Sequence, residues 1–308
     1  MIESLPTFVH QAATGIPSSE SPTHLPPVHG RLRLRFEVSG ESNQTILTTN
    51  EQQLPLRVVR AFRQADGGSL VHLHNLSGGV LGGDRLQLQV AVGPSAVVQL
   101  TSTGATRIYR SAPDTATARQ TIQINVADDG LLEYLPDQLI PFAGSRYCQE
   151  TQIVLGANAG LFWWETIAPG REAHNEVFAY ELLRLKTSIS AAGKPLALEH
   201  MKLEPAKRSL FSLARFGCYR YLSSFYICRT GIGRKRWLEL EKRLAVLVEQ
   251  SSQPSKIVWG VSPLRAHGLL VRALSVKSRD IASRLPDFWR VAKHFLYDRE
   301  AVLPRKIY

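Results

Sequence analysis

His72 and His74 stand two residues apart in a run, 69–76, that reads as a strand, so both imidazoles leave the same face. Paired imidazoles at that spacing suit a divalent ion such as Ni or Zn. No third ligand follows closely in sequence, and histidines held by ordinary structural partners fit the same pattern. Two further segments concentrate polar groups. Thr101-Ser102-Thr103-Gly104-Ala105-Thr106-Arg107-Ile108-Tyr109-Arg110 clusters hydroxyls with two arginines, and Leu131-Leu132-Glu133-Tyr134-Leu135-Pro136-Asp137 sets an acid inside an apolar run. A carboxylate on an apolar strand is costly unless paired, and Arg107 or Arg110 is its natural partner. The alternative is a polar path through the protein, lined by Asp84, Glu133 and these hydroxyls.

Motifs for catalysis are missing. The glycine run Ser77-Gly78-Gly79-Val80-Leu81-Gly82-Gly83-Asp84 lacks the Lys-Ser/Thr that ends a phosphate loop, and the segment after it alternates as a strand instead of opening a helix. Its glycines supply turns or close backbone approach. Thr230-Gly231-Ile232-Gly233-Arg234-Lys235 precedes a helix and reads as a turn, although a helix start does attract anions. There is no His-x-x-x-His helix, Cys-x-x-Cys or Gly-x-Ser-x-Gly. A Ser/His/Asp set assembled only in space remains an open reading, so a hydrolase stays among the alternatives.

The elements that must position these groups are mostly strands. Leu32, Leu34, Phe36 and Val38 alternate with Arg31, Arg33, Arg35 and Glu37, and the same period returns in Leu86, Leu88, Val90 and Val92 and in Ile122, Ile124 and Val126. Further β-rich runs fall near 56–62, 69–76, 96–101, 131–136, 149–155, 160–167, 177–190, 195–203, 217–229, 256–261 and 267–276. Many short strands without helices between them predict an all-β sandwich, barrel or coil and argue against a doubly wound sheet. Two helices are predicted late in the chain. One covers 234–250, with Trp237, Leu240, Leu244, Leu247 and Val248 at helical spacing. The other starts at Ser278 as N-cap, with Asp280 in its first turn. Pro286 then implies a kink or two short helices. Residues 1–28, rich in Ser, Thr and Pro, read as a flexible leader, leaving 29–308 as one β-rich domain.

The chain of 308 residues carries a net charge of +11, which should draw polyanions. The densest clusters are Arg31, Arg33 and Arg35 on one strand face and Arg234, Lys235 and Arg236 at a helix start. Neither interleaves with aromatics, so an acidic protein partner or a solvated face is favoured. A basic β-rich nucleic-acid-binding module is the alternative. The odd set of Cys148, Cys218 and Cys228 predicts buried or neutral thiols in a reducing compartment. With no apolar run of spanning length and no basic-then-apolar start, a soluble cytoplasmic protein is expected.

Several blocks resemble the urease accessory protein family UreD, also called UreH. They are residues 75–90 (NLSGGVLGGDRLQLQV), 100–111 (LTSTGATRIYRS), 131–142 (LLEYLPDQLIPF), 162–171 (FWWETIAPGR) with Glu176 and Phe178, and the terminal Pro304-Arg305-Lys306-Ile307-Tyr308. Departures are Leu76 where family members usually have Pro, Thr103-Gly104-Ala105 where Gln-Ala precedes the Thr, and Ala168-Pro169-Gly170-Arg171 where Leu-Gly-Arg is common. The resemblance implies a β-helix-like stack of many short strands with two α-helices in the C-terminal region. It implies a non-catalytic nickel-insertion scaffold that binds urease apoprotein and UreF, and through UreF the GTPase UreG. No cofactor is held tightly, and Ni²⁺ passes transiently along an internal polar channel. Weak donors suit transfer better than a tight ligand cluster. The expected path is then Asp84, Glu133, His72 and His74 as ion contacts. Its expected walls are Ser102, Thr103, Thr106, Tyr109, Arg110, Glu165 and Glu176.

Overall fold

A computed structural model describes residues 27–304. The expected leader therefore lies almost wholly outside the described residues, as do residues 305–308 of the last block. The chain runs through β1 (His29–Val38), β2 (Thr45–Gln53), β3 (Leu56–Arg57), β4 (Ala61–Arg63), β5 (Ser69–Asn75), β6 (Arg85–Val92), β7 (Val97–Ser102), β8 (Thr106–Ile108) and β9 (Ala118–Val126). It continues through β10 (Leu131–Tyr134), β11 (Leu139–Pro141), β12 (Arg146–Leu155), β13 (Gly160–Ile167), β14 (Leu182–Ala191), β15 (Lys194–Leu203) and β16 (Tyr221–Arg229). Helix α1 (Arg234–Ser251), β17 (Ile257–Pro263), β18 (Gly268–Ser275) and helix α2 (Ser278–Tyr297) complete it.

The strands form two sheets. The seven-stranded sheet has the order β15-β14-β12-β9-β6-β1-β2, and the second, with 11 strands, is built on β17-β18-β16-β13-β10-β7-β5-β3. From β6 to β13 the chain alternates between sheets, and same-sheet neighbours pair in parallel. This mainly β architecture is a coil, as expected, rather than a doubly wound sheet. One edge carries tight corners at 93–96, 127–130 and 156–159. Ser95, Asp129 and Asn158 take positive φ there, and successive corners bond to each other through Ser95 N–H to Asp128 O and Asp129 N–H to Ala157 O. The opposite edge carries the long connections 76–84, 103–117, 135–145 and 168–181, and with them most of the polar segments singled out above.

Alternation divides the core in two. Leu132, Tyr134, Leu161 and Trp163 fill the space between the sheets. Leu131, Phe162, Trp164 and Phe225 face a second core roofed by the helices, with Trp237, Leu240, Leu244, Phe288 and Trp289. Helix α1 matches its expected span, while α2 corrects two expectations. Its N-cap is Lys277 rather than Ser278 and makes no side-chain cap bond, and the helix continues unbroken through Pro286. Ile281, Leu285, Phe288, Trp289, Ala292 and Leu296 are buried on either side of the proline. Packing of that stripe outweighs the lost N–H bond. The expected runs at 177–190 and 217–229 also shorten, to strands starting at Leu182 and Tyr221. No helix among the described residues is long and apolar enough to cross a membrane.

Candidate functional site

On the long-loop edge a cleft of about 280 Å³ opens between the sheets, walled by His74, Ser102, Thr103, Thr106, Gln120 and Tyr134 among others. The glycine run forms one lip. A Cβ at Gly79 would collide with the Tyr109 ring and the Arg107 carbonyl, so only glycine lets the loop lie this close. The other lip is fixed by Ser102, whose Oγ accepts the Asp137 N–H at 2.8 Å.

Polar groups continue inward from the cleft. Tyr147 Oη donates to Gln120 Oε1 at 2.6 Å and lies 3.1 Å from Gln149 Oε1. Gln149 Nε2 donates to Glu165 Oε1 at 2.6 Å. From Glu165 two facing rows run outward. Glu165, Ser224 and Arg272 lie side by side on β13, β16 and β18, and Thr151, Thr187 and Glu199 on β12, β14 and β15. The rows close on each other where Tyr226 Oη donates to Glu199 Oε2 at 2.5 Å and Arg272 meets the same oxygen at 2.6 Å. Arg272 is half exposed there. A line of polar side chains thus links solvent on the long-loop edge to solvent beside β15 and β18.

Glu165 is the carboxyl on this line with the most perturbed environment. Enclosure between the sheets pushes its pKa up to about 7, against the bond from Gln149 and with help from the negative charge of Glu199. Burial also raises the phenols of Tyr134 and Tyr147, keeping both protonated as donors. His74 at the cleft stays neutral more readily than usual, through burial and then through the neighbouring His72 and Arg57.

The other expected residues occupy different places. Glu133 leaves the opposite face of β10 and points into the helix layer. Its carboxylate accepts Trp289 Nε1 at 3.0 Å, Lys293 Nζ at 3.1 Å and Gln99 Nε2 at 3.1 Å. Its partner is therefore Lys293, not Arg107 or Arg110, and it does not border the space between the sheets. Burial raises its pKa even so, while Lys293, Trp289 and Gln99 pull the other way. Asp84 is buried but committed to backbone, accepting the N–H groups of Val28 and Leu81 at 3.0 and 2.9 Å. His72 packs edge-on against Phe62. Tyr109 packs against Phe142 on the outside of the glycine loop, and Arg110 is exposed beside Gly144. Glu176 forms a two-pronged pair with Arg171 and accepts the Ala143 N–H, which holds its pKa down to about 2. No group of three or more His, Cys, Asp or Glu among the described residues is disposed to hold a metal.

Gln120, Tyr147, Gln149, Thr151, Tyr226 and Glu199 were not singled out by motif. The signal was available: on β12 the inward positions are Tyr147, Gln149, Thr151, Ile153 and Leu155, so amide and hydroxyl groups occupy the phase reserved for the core.

Fold and line together define a parallel β-coil with a helical roof and a polar seam between its sheets. The chain belongs to the UreD urease accessory protein family, whose model matches residues 28–307. Among curated relatives, the urease accessory protein UreD of Herpetosiphon aurantiacus is 47% identical over 289 residues, covering 94% of this chain and 100% of the relative. Its counterpart in Photorhabdus laumondii is 31% identical, over 86% of this chain and 81% of its own length. The Nostoc protein of the same name is 37% identical over 63% of this chain and 68% of its own.

Proposed function

We propose that this chain serves urease maturation as a cytoplasmic, non-catalytic scaffold that passes Ni²⁺ between its sheets toward urease apoprotein, in a complex with UreF and, through UreF, UreG. The observation that supports it is the line of polar side chains between the sheets, from the long-loop cleft to the Glu199–Arg272 edge. Its donors are sparse: a neutral imidazole at the mouth, hydroxyls, amides, then the Glu165 carboxyl, with Glu199 beyond it already paired to Arg272. Nickel accepts N and O donors, and a series of weak contacts allows release where a closed ligand set would retain the ion. Glu165 is the residue on which passage depends most. Ionised, it offers the seam's inner negative charge; protonated, it offers only a carbonyl and a hydroxyl.

The test is Glu165→Gln, which keeps a partner for Gln149 and removes the charge. Urease co-expressed with the accessory set should incorporate less nickel, while this chain still co-purifies with urease apoprotein and UreF. Full nickel incorporation in both Glu165→Gln and Glu165→Ala overturns the passage.

A further inference from the structure

The outer face of the seven-stranded sheet carries a second, independent pattern. Parallel and antiparallel register place His29, Arg85, Arg119, Cys148, Arg184 and Lys202 side by side on six successive strands. Their sequence neighbours Leu86, Ala118, Tyr147, Leu183 and Leu203 turn inward, so the row itself faces out. Four of its six members are permanent cations. Arg85 and Lys202 are four strand steps apart, or roughly 19 Å. Arg85 and Arg119 are exposed and Arg184 is half-buried. No ion pair among the described residues involves these three, whereas Lys202 is tied to Glu204 at 2.6 Å. Arg184 Nε is enclosed and has no hydrogen-bond partner among the described residues. Like charges set one strand apart repel, and of the four cations only Lys202 has an ion-pair partner among the described residues.

We infer that this row is a docking surface for an extended, acidic segment of a partner protein. A strand-like peptide lying across the row presents same-face side chains roughly every 7 Å, a spacing that lets alternate carboxylates engage the guanidinium groups. Guanidinium suits this role because it bonds carboxylate in a two-pronged geometry. Nucleic acid fits less well. The adjoining outward positions are Gln87 and Gln89 on β6, Thr121 and Gln123 on β9, and Glu150 facing Lys186 on β12 and β14, so no aromatic platform offers stacking to bases. The row lies near the starts of β6, β9, β12 and β14, on the long-loop side, and a segment docked there sits beside the cleft. The surface rests on register and charge alone and stands whether or not the seam carries nickel.

The probe is a short fluorescein-labelled peptide alternating glutamate and threonine, followed by anisotropy with the full chain across a salt series. Binding should strengthen as salt falls, and R85Q/R119Q/R184Q should weaken it by about tenfold or more. The control R234Q/K235Q/K242Q removes equal charge from α1 and should cost less than about threefold. Bound peptide should shield the half-buried Cys148 from maleimide but not the exposed Cys218. If the triple variant fails to fold, R119Q alone, an exposed change in mid-row, should cost about threefold. Equal losses in row and control variants, unshielded Cys148, or tighter binding of a single-stranded oligonucleotide of equal charge would each overturn the inference.

Discussion

Lys293→Met tests whether Glu133 anchors the helical roof. The pair joins β10 to α2 across 160 positions of sequence, with side chains 3% and 1% exposed. Methionine keeps most of the lysine's volume, so the change removes charge without a large cavity. Breaking one side of a buried ion pair costs about 3–5 kcal/mol. The lower end applies because Glu133 keeps Trp289 and Gln99 as donors and can take up a proton. The sign with pH follows from that proton. Burial already raises the Glu133 pKa above its usual 4.5, and losing the ammonium raises it further. The folded variant then holds a proton that the unfolded chain has released, so its stability falls as pH rises from about 4.5 through the folded value. Urea unfolding by tryptophan fluorescence should find Lys293→Met nearest the unmodified protein at about pH 5 and furthest from it at about pH 8. The double variant E133Q/K293M should recover much of the loss and most of the pH slope. It should also support normal nickel incorporation, because Glu133 faces away from the seam. A cost below about 1 kcal/mol at both pH values, or an unchanged slope in the double variant, refutes the anchor.

Two other outcomes follow from local geometry. A Cβ at Gly160 would fall on Tyr297 Oη and within 3.0 Å of Leu131 Cδ1. Gly160→Ala should therefore cost about 1–3 kcal/mol, with partial recovery in G160A/Y297F; an unchanged Tm contradicts the close fit. The Glu176 pKa, held down to about 2, stabilises above the usual carboxylate value and is lost as pH falls from about 4.5 toward 2. Glu176→Gln should flatten the acid limb of a stability–pH curve, and an unaltered limb would mean that the Arg171 pair contributes nothing.

The strands most legible in sequence were those with one buried face. On β1, Leu32, Leu34 and Phe36 are buried while their neighbours are exposed, and period two follows directly. β2 gave no such signal, because Thr45–Gln53 is an edge strand whose residues after Thr45 are all at least partly exposed. β8 and β11 are three residues long, too short for any period. For the site, Ser102, Thr103, Thr106, His74 and Glu165 fall on the cleft or seam, whereas Glu133 does not. Which face an acid leaves depends on strand phase, and four residues of β10, all buried, carry no phase information. Lys293 did carry a signal: it interrupts the apolar stripe of α2 beside Trp289 and Ala292. A lone cation on a buried stripe implies a buried anion, and Glu133 is the carboxylate that meets it.

The seven-stranded sheet ends on both sides in an antiparallel hairpin strand, β2 and β15, and each of these pairings is interrupted by a bulge, at Arg35/Phe36 and at Ile189/Ser190. Bulges add local twist and break the flat ladder that a foreign strand would need. Strand-by-strand growth of the coil at these two edges is thereby disfavoured.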